Sequence, residues 1–201
     1  MPETSGADLD SLTPGARRIL EVASTLFYEH GIHAVGVDTI AAESGVTKRT
    51  LYDRFGSKDG LVTTYLQARD RRWRSMVAAR LDTADSDLDR VLAPFDVLPD
   101  WLAQSPRGCS FINAFGELPD VDHPGRQVIV AEKTWLLDQF RAALAEAEVR
   151  QPDQLAVQLL SLHEGAIVGY SIAGAASAAD EARAAARTLV ELALDEVSRH
   201  D

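Results

Sequence analysis

Thr47, Lys48, Arg49 and Tyr52 fall within the stretch TKRTLYDRF and bring a hydroxyl, two cations and a phenol close together. If that stretch is helical, Leu51 and Phe55 lie four apart and turn inward, leaving Thr47, Lys48, Arg49, Tyr52 and Asp53 on the outside. Lysine and arginine on such a face can donate to guanine O6 and N7 or to phosphate oxygens. A tyrosine ring can cover a thymine methyl while its hydroxyl meets a phosphate. The plainer reading is a solvated face on which Arg49 and Asp53 pair at i,i+4, an interaction worth roughly a few tenths of a kcal/mol.

The elements that would present this face can be read from the surrounding sequence. In TPGARRILEVASTLFYEHG, Thr13 suits an N-cap, Pro14 a first turn and Gly31 a C-terminal stop. Ala16, Ile19, Leu20, Ala23, Leu26 and Phe27 share one helical face. A short helix is expected over 37–44 with Ile40 and Ala41 inward, then Gly45, then a second short helix opened by Thr47. Gly45 stands where a chain reversing between two helices needs positive φ. Two short helices about a glycine, the second with a basic and aromatic outer face, form the pattern of a helix-turn-helix whose second helix enters the DNA major groove.

Charge supports that polarity. The net charge of −11 disfavours a polyanionic partner for the molecule as a whole. Residues 1–80, however, carry 11 Lys/Arg against 10 Asp/Glu, whereas 81–201 carry 9 against 21. Within 44–58, Lys48, Arg49, Arg54 and Lys58 face a single acid, Asp53. A basic patch at one end of an acidic chain directs that end toward phosphate. Arg69, Arg71, Arg72 and Arg74 form a second basic cluster, expected to pair with the acidic C-terminal half or to lie in solvent.

GVTKRTLYDRFGSKDGLV, preceded by VDTIAAESG, resembles the N-terminal domain of the TetR/AcrR (tetracycline-repressor) family of transcriptional regulators. The resemblance is strong over residues 14–62 and extends to the remainder in general layout. It implies an all-α fold, with an N-terminal three-helix helix-turn-helix DNA-binding domain and a C-terminal helical ligand-binding and dimerisation domain. It also implies a homodimer on a double-stranded DNA operator, released by a small-molecule effector. Thr47, Lys48, Arg49 and Tyr52 occupy the family's DNA-reading positions, and Lys58 the phosphate-contacting one. Two positions depart from the pattern. Gly36 stands where a capping Ser or Thr is common, leaving that phosphate contact to backbone or to Thr39; Arg54 stands where a histidine often follows the tyrosine by two.

The expected division is a DNA-binding domain over 1–60 with 1–12 flexible, a linking helix over 61–81 capped by Ser57, and an effector-binding and dimerisation domain over 82–201. In the last part Pro94 and Pro99 are expected to interrupt the first segment, and helices are expected over 124–147, 152–173 and 178–199. Leu155, Leu159, Leu162, Ala166, Gly169 and Ala173 form one stripe of a helix that is apolar nearly all round, and Gly165 and Gly169 permit close helix approach. Two helices from each subunit would then build a four-helix dimer interface, with a packed monomer core as the alternative.

An apolar site with a few placed polar groups is the usual form of a small-molecule pocket. Trp101, Phe111, Asn113, Phe115, Trp135, His163 and Tyr170 are the candidate effector contacts, each of which could equally be core. A partly apolar effector is expected.

Other function classes find little support. There is no phosphate-binding glycine loop or nucleophile elbow, and HEGAI lacks the second histidine of a zinc protease helix. DVDH at 120–123 is an acidic loop before it is a metal site, and the one cysteine, Cys109, fits a packed thiol. A soluble cytoplasmic protein without signal peptide, membrane span, metal or cofactor is expected. An architectural DNA-binding protein or, further off, an enzyme with its site in the C-terminal half are the alternatives.

Overall fold

A computed structural model describes residues 9–198. Among them are ten helices and no strand: α1 (Pro14–His30), α2 (Val37–Ser44), α3 (Lys48–Phe55), α4 (Lys58–Leu81), α5 (Asp87–Asp96), α6 (Leu98–Ala103), α7 (Ser110–Glu117), α8 (Pro124–Glu146), α9 (Pro152–Ser171) and α10 (Ala178–Ser198). The expected all-α class is observed. Of the stretch 1–12 expected to be flexible, residues 1–8 lie outside those described, as does the Arg199 end expected for the last helix. Asp10 accepts two hydrogen bonds from the Arg71 guanidinium, at 3.0 and 2.8 Å. No helix among the described residues is long and apolar enough to cross a membrane.

The helix boundaries follow local chemistry. Thr13 Oγ1 accepts from the Ala16 N–H at 3.4 Å, and Gly31, at φ 92°, ends α1. The six apolar residues of the expected α1 face are all buried. Ser57 Oγ accepts from the Gly60 N–H at 2.9 Å, capping α4. Pro94 corrects the expected interruption: it lies inside α5, which continues to Asp96. Proline removes one N–H, the one that would meet the Arg90 carbonyl, and so near the end of a helix its effect is confined to the last turn. Pro99 does mark a start, in the first turn of α6.

α2 and α3 have eight residues each, well short of the roughly 12–15 at which an isolated helix persists in water. Burial holds them. Ile40 and Leu51 are fully enclosed and Phe55 nearly so, each enclosed side chain contributing about 1.5–3 kcal/mol. Between the helices, Gly45 adopts the left-handed conformation (φ 65°, ψ 22°). Its N–H meets the Ala42 carbonyl at 3.3 Å, and the Val46 N–H meets that of Ala41 at 3.2 Å.

The described chain forms two compact units. The first holds the residues up to Arg72 together with Cys109–Ala131, and the second holds Trp73–Gly108 together with the residues from Glu132 on. α4 and α8 therefore each give residues to both. In the first unit α1, α2 and α3 pack on one another. In the second, α10 lies against α9, α5 and α6, and Phe95, Leu98, Leu136, Phe140 and Leu144 are fully enclosed.

The corner between α3 and α4 depends on one close approach. A Cβ at Gly60 would lie 2.1 Å from the Phe55 carbonyl oxygen, a backbone atom that cannot swing aside. Gly60→Ala is expected to destabilise the protein by about 2 kcal/mol, read as a lower midpoint in chemical denaturation. An unchanged midpoint would show that the corner yields without cost.

Candidate functional site

α3 presents the surface its sequence predicts. Leu51 and Phe55 face inward, while Thr47, Lys48, Arg49 and Tyr52 are exposed, Tyr52 to 45%. Thr47 is the N-cap residue, its Oγ1 accepting from the Thr50 N–H at 3.2 Å and lying 3.0 Å from Thr50 Oγ1. That hydroxyl is engaged in fixing the helix start, so α3 reaches outward chiefly through Lys48, Arg49 and Tyr52. Arg49 Nε stands 3.8 Å from Asp53 Oδ2, with the two side chains 90% and 64% exposed. At that distance and exposure the pair is nearly without energetic weight, and the guanidinium can turn to another partner. Lys48 Nζ is paired with Asp38 of α2.

Thr39 is exposed in the first turn of α2, whose N-cap, Gly36, offers no side-chain cap. Lys58 is the first residue of α4 and is half-buried. Sequence reasoning passed over Asp38; its place at i+2 in α2 gives no sign of the lysine it meets on another helix.

A second residue missed by sequence reasoning supports the α1–α2 loop. Glu117, the last residue of α7, accepts from the Ile32 N–H at 3.0 Å and the His33 N–H at 2.8 Å, and His33 Nδ1 lies 3.3 Å from it. Partial burial raises the Glu117 carboxyl, but the two backbone N–H groups and the His33 side chain outweigh it and hold the group below its ordinary value. These contacts join residues 84 and 85 positions apart, a separation at which no local pattern signals a partner.

The candidate effector residues divide between the units. Phe111, Asn113 and Phe115 belong to the first; Trp101, Trp135, His163 and Tyr170 belong to the second. Phe111 is buried and Asn113 exposed, while Phe115 is exposed beneath the Arg126 guanidinium, 3.9 Å from its ring centroid. In the second unit, Trp101 and His163 both pack on Trp73, with centroids 5.2 and 5.5 Å away. Phe95 meets His163 edge-on at 5.5 Å. Trp135 and Tyr170 are half-buried, and Arg74 lies over the Trp135 ring at 4.7 Å.

The arginine cluster thus finds Asp10 and aromatic faces: Arg71 meets Asp10, Arg74 meets Trp135 and Arg69 lies over Tyr28 at 4.9 Å. These three contacts are not with the acidic groups of the C-terminal half, which together with solvent made up the expectation for the cluster.

Burial pushes the His163 imidazole down and the Lys133 charge acts the same way, while the Glu164 carboxylate and the Pro94 backbone pull the other way. Neither ring nitrogen has a hydrogen-bond partner, and the same is true of Trp73 Nε1. Each such buried polar group costs roughly 1–3 kcal/mol. Beside them Lys133 Nζ lies 2.7 Å from Glu164 Oε1 and 3.2 Å from Glu132 Oε2. Burial raises Glu164, but His163 and Lys133 outweigh it and bring the carboxyl down to about 2. Among the described residues no three His, Cys, Asp or Glu side chains are grouped to hold a metal ion. His123 of the DVDH loop instead accepts from the Gly125 N–H with Nδ1 at 3.0 Å.

Residues 19–64 match the family model described as bacterial regulatory proteins, tetR family, and residues 87–186 match a model described as tetracyclin repressor-like, C-terminal domain. A solved TetR-family transcriptional regulator from Streptomyces coelicolor is 32% identical, with a TM-score of 0.78 over 92% of this chain and 96% of that one. The HTH-type transcriptional activator FasR of Mycolicibacterium smegmatis is 33% identical over 95 residues, covering 47% of this chain and 43% of the relative. The HTH-type transcriptional repressor KstR2 of Rhodococcus jostii is 35% identical over 82 residues, covering 38% and 40%. The chain thus spans less than half the length of these two curated relatives.

The Glu117 contacts make a pH prediction with a definite sign. A carboxyl whose folded-state value lies below its unfolded value of about 4.5 binds fewer protons when folded. It therefore contributes stability that is present above that pH and lost as pH falls through the folded value. Glu117→Gln is expected to remove this part of the acid dependence and to speed amide hydrogen exchange at Ile32 and His33. Unchanged exchange at both amides would show that the loop is held by other means.

Proposed function

We propose, on the premise that this chain belongs to the TetR family of bacterial regulatory proteins, that it is a ligand-responsive transcriptional repressor. It binds a palindromic operator as a homodimer and leaves it when a small molecule binds. The observation that carries this reading is the outer face of α3, where Lys48, Arg49 and Tyr52 stand exposed on a short helix held rigidly by buried Leu51 and Phe55. A helix of that size and chemistry suits the major groove, with Lys48 and Arg49 toward base edges or phosphates and Tyr52 toward a thymine methyl or phosphate. Thr39 and Lys58, at the first turns of α2 and α4, take backbone phosphates, and Thr47 orders the start of the reading helix. The DNA-binding part is the first unit.

Dimerisation is assigned to α9 and α10. Val157 and Val168 on α9, Ile172 just past its end and Leu192 on α10 are exposed, Ile172 to 81%. A Cβ at Gly165 would meet nothing within 4 Å, so the α9 backbone is open to a neighbouring helix there. Apolar side chains on the last two helices are what a four-helix interface between subunits would cover. Two recognition helices related by a two-fold axis then read two half-sites.

Release follows if the effector binds the DNA-incompetent state more tightly; equal affinity for both states would shift nothing. The names of the two curated relatives include one activator and one repressor. The sign is therefore read with a promoter reporter once the operator is known, and repression lifted by ligand is the expected outcome.

Selection of bound sequences from a random DNA pool is expected to return a palindrome. Tyr52→Ala and Lys48→Ala are each expected to weaken binding to it by about tenfold or more with the melting temperature retained, because both side chains are exposed. Lys58→Ala should weaken all sequences alike and lower the salt slope by about one. Unchanged affinity in the Tyr52 and Lys48 variants would remove α3 from the reading. Enrichment of no sequence would favour an architectural role.

A further inference from the structure

The start of α3 calls for an anion, and a neighbouring helix supplies it. A helix N-terminus carries the positive end of the peptide dipoles, which favours acids there and disfavours bases. α3 has no acid in its first turn and opens on Lys48 and Arg49. Asp38, in the first turn of α2, reaches across to pair with Lys48. The lysine is 47% exposed and the aspartate 78%, so the pair is open to whatever binds this surface. The other acid of the face is held differently. Asp53 lies on α3 itself, its carboxylate 3.8 Å from Arg49 Nε, and at that distance and exposure it lets the guanidinium turn.

A carboxylate beside Thr39, the residue proposed for a backbone phosphate, weakens attraction to every DNA sequence alike. What it can supply is discrimination. An ammonium has three donors, so pairing with one carboxylate leaves donors over for base-edge acceptors that stand where the ammonium is held. A phosphate elsewhere draws the lysine off its carboxylate instead. That step exchanges one anion for another and leaves Asp38 facing the polyanion, so it adds little to binding. Phosphates occur on all DNA, whereas guanine O6 and N7 in one register occur only on some.

We propose that Asp38 is a specificity-determining residue: it holds Lys48 for base-edge acceptors in one register and withholds it from the phosphates of arbitrary DNA. It acts through Lys48 and is therefore a positioning residue. The proposal rests on the reading of α3 as the DNA-reading helix. Without Asp38, the flexible four-carbon stem would carry Lys48 to any phosphate within reach. Non-specific binding would then gain more than operator binding.

The test compares the full-length protein with Asp38→Asn, Asp53→Asn, Lys48→Ala and the variant combining Asp38→Asn with Lys48→Ala. Each is titrated with the selected operator and with a scrambled duplex of the same composition, over a series of salt concentrations. Asp38→Asn is expected to bind scrambled DNA about threefold or more tightly than the parent and to gain less or nothing on the operator. The operator-to-scrambled ratio then falls, and the salt slope on scrambled DNA steepens by about one per subunit as one more cation meets phosphate. Asp53→Asn removes the same charge from the same face and should leave the ratio within about twofold of the parent. Once Lys48 is alanine, adding Asp38→Asn should likewise leave the ratio unmoved. A merely structural Asp38 would lower the melting temperature and both affinities together with the ratio kept, which overturns the proposal. An equal fall in ratio on Asp53→Asn, or a fall that persists without Lys48, overturns it too, by showing an effect of bulk charge. A parent protein that prefers no sequence fails the regulator reading and the proposal with it. A parent that prefers the operator, with the ratio unmoved in Asp38→Asn, fails the proposal alone.

Discussion

The recognition surface depends on the burial of two helices too short to hold themselves. An N-cap such as Thr47 contributes about 1 kcal/mol, and the hydrogen bonds of eight residues barely offset the cost of starting a helix. Ile40 and Leu51, both fully enclosed, supply more than the caps do. Because the same burial fixes the rotation of α3 about its axis, it also decides which side chains face out. Arg49 and Tyr52 are presented on a surface already set before any partner arrives, which lowers the ordering cost of binding.

Glu117 extends that support to the loop leading into α2. A carboxylate accepting from two successive backbone N–H groups is a stronger tie than a neutral side chain could make. It is also one tie between Cys109–Ala131 and the start of the chain, which belong to the same unit. In the second unit polar groups take the opposite part. Lys133 pairs with Glu164 through Oε1, whereas Glu164 Oε2, Trp73 Nε1 and both His163 ring nitrogens have no hydrogen-bond partner in or beside an aromatic cluster. The first unit uses the Glu117 hydrogen bonds to fix the shape of a loop.

What could be read from sequence was what local rules decide. The inward face of α1, the left-handed turn at Gly45 and the caps at Thr13, Thr47 and Ser57 all depend on neighbours within a few residues. The partners of Lys48 and Glu117 were not legible, because an ion pair or a carboxylate tie across the chain has no period. α9 lies between these cases. Its stripe was read through Leu162 and Gly169, yet the buried set is Leu155, Ala156, Leu159, His163, Ala166 and Ile167. The helix is turned by about one residue from the apolar optimum, which carries His163 inward. A hydropathy pattern counts histidine as polar and cannot foresee that a neutral imidazole among aromatic rings will be enclosed. Trp73 was hidden for a related reason, sitting in a run of arginines that reads as surface.

The ion pairs of the two units differ in a way that suits their settings. Lys48 and Asp38 are 47% and 78% exposed, so their attraction is screened and worth about 1 kcal/mol or less. Such a pair orients the lysine without binding it firmly, and a phosphate, carrying a full charge and several acceptors, can displace the carboxylate. Lys133 and Glu164 are 27% and 22% exposed, and removing either charge would leave the other poorly solvated. The exchangeable pair joins α2 to α3, on the surface proposed to meet DNA. The fixed pair borders the aromatic cluster of His163 and Trp73 and gives it a steady local charge.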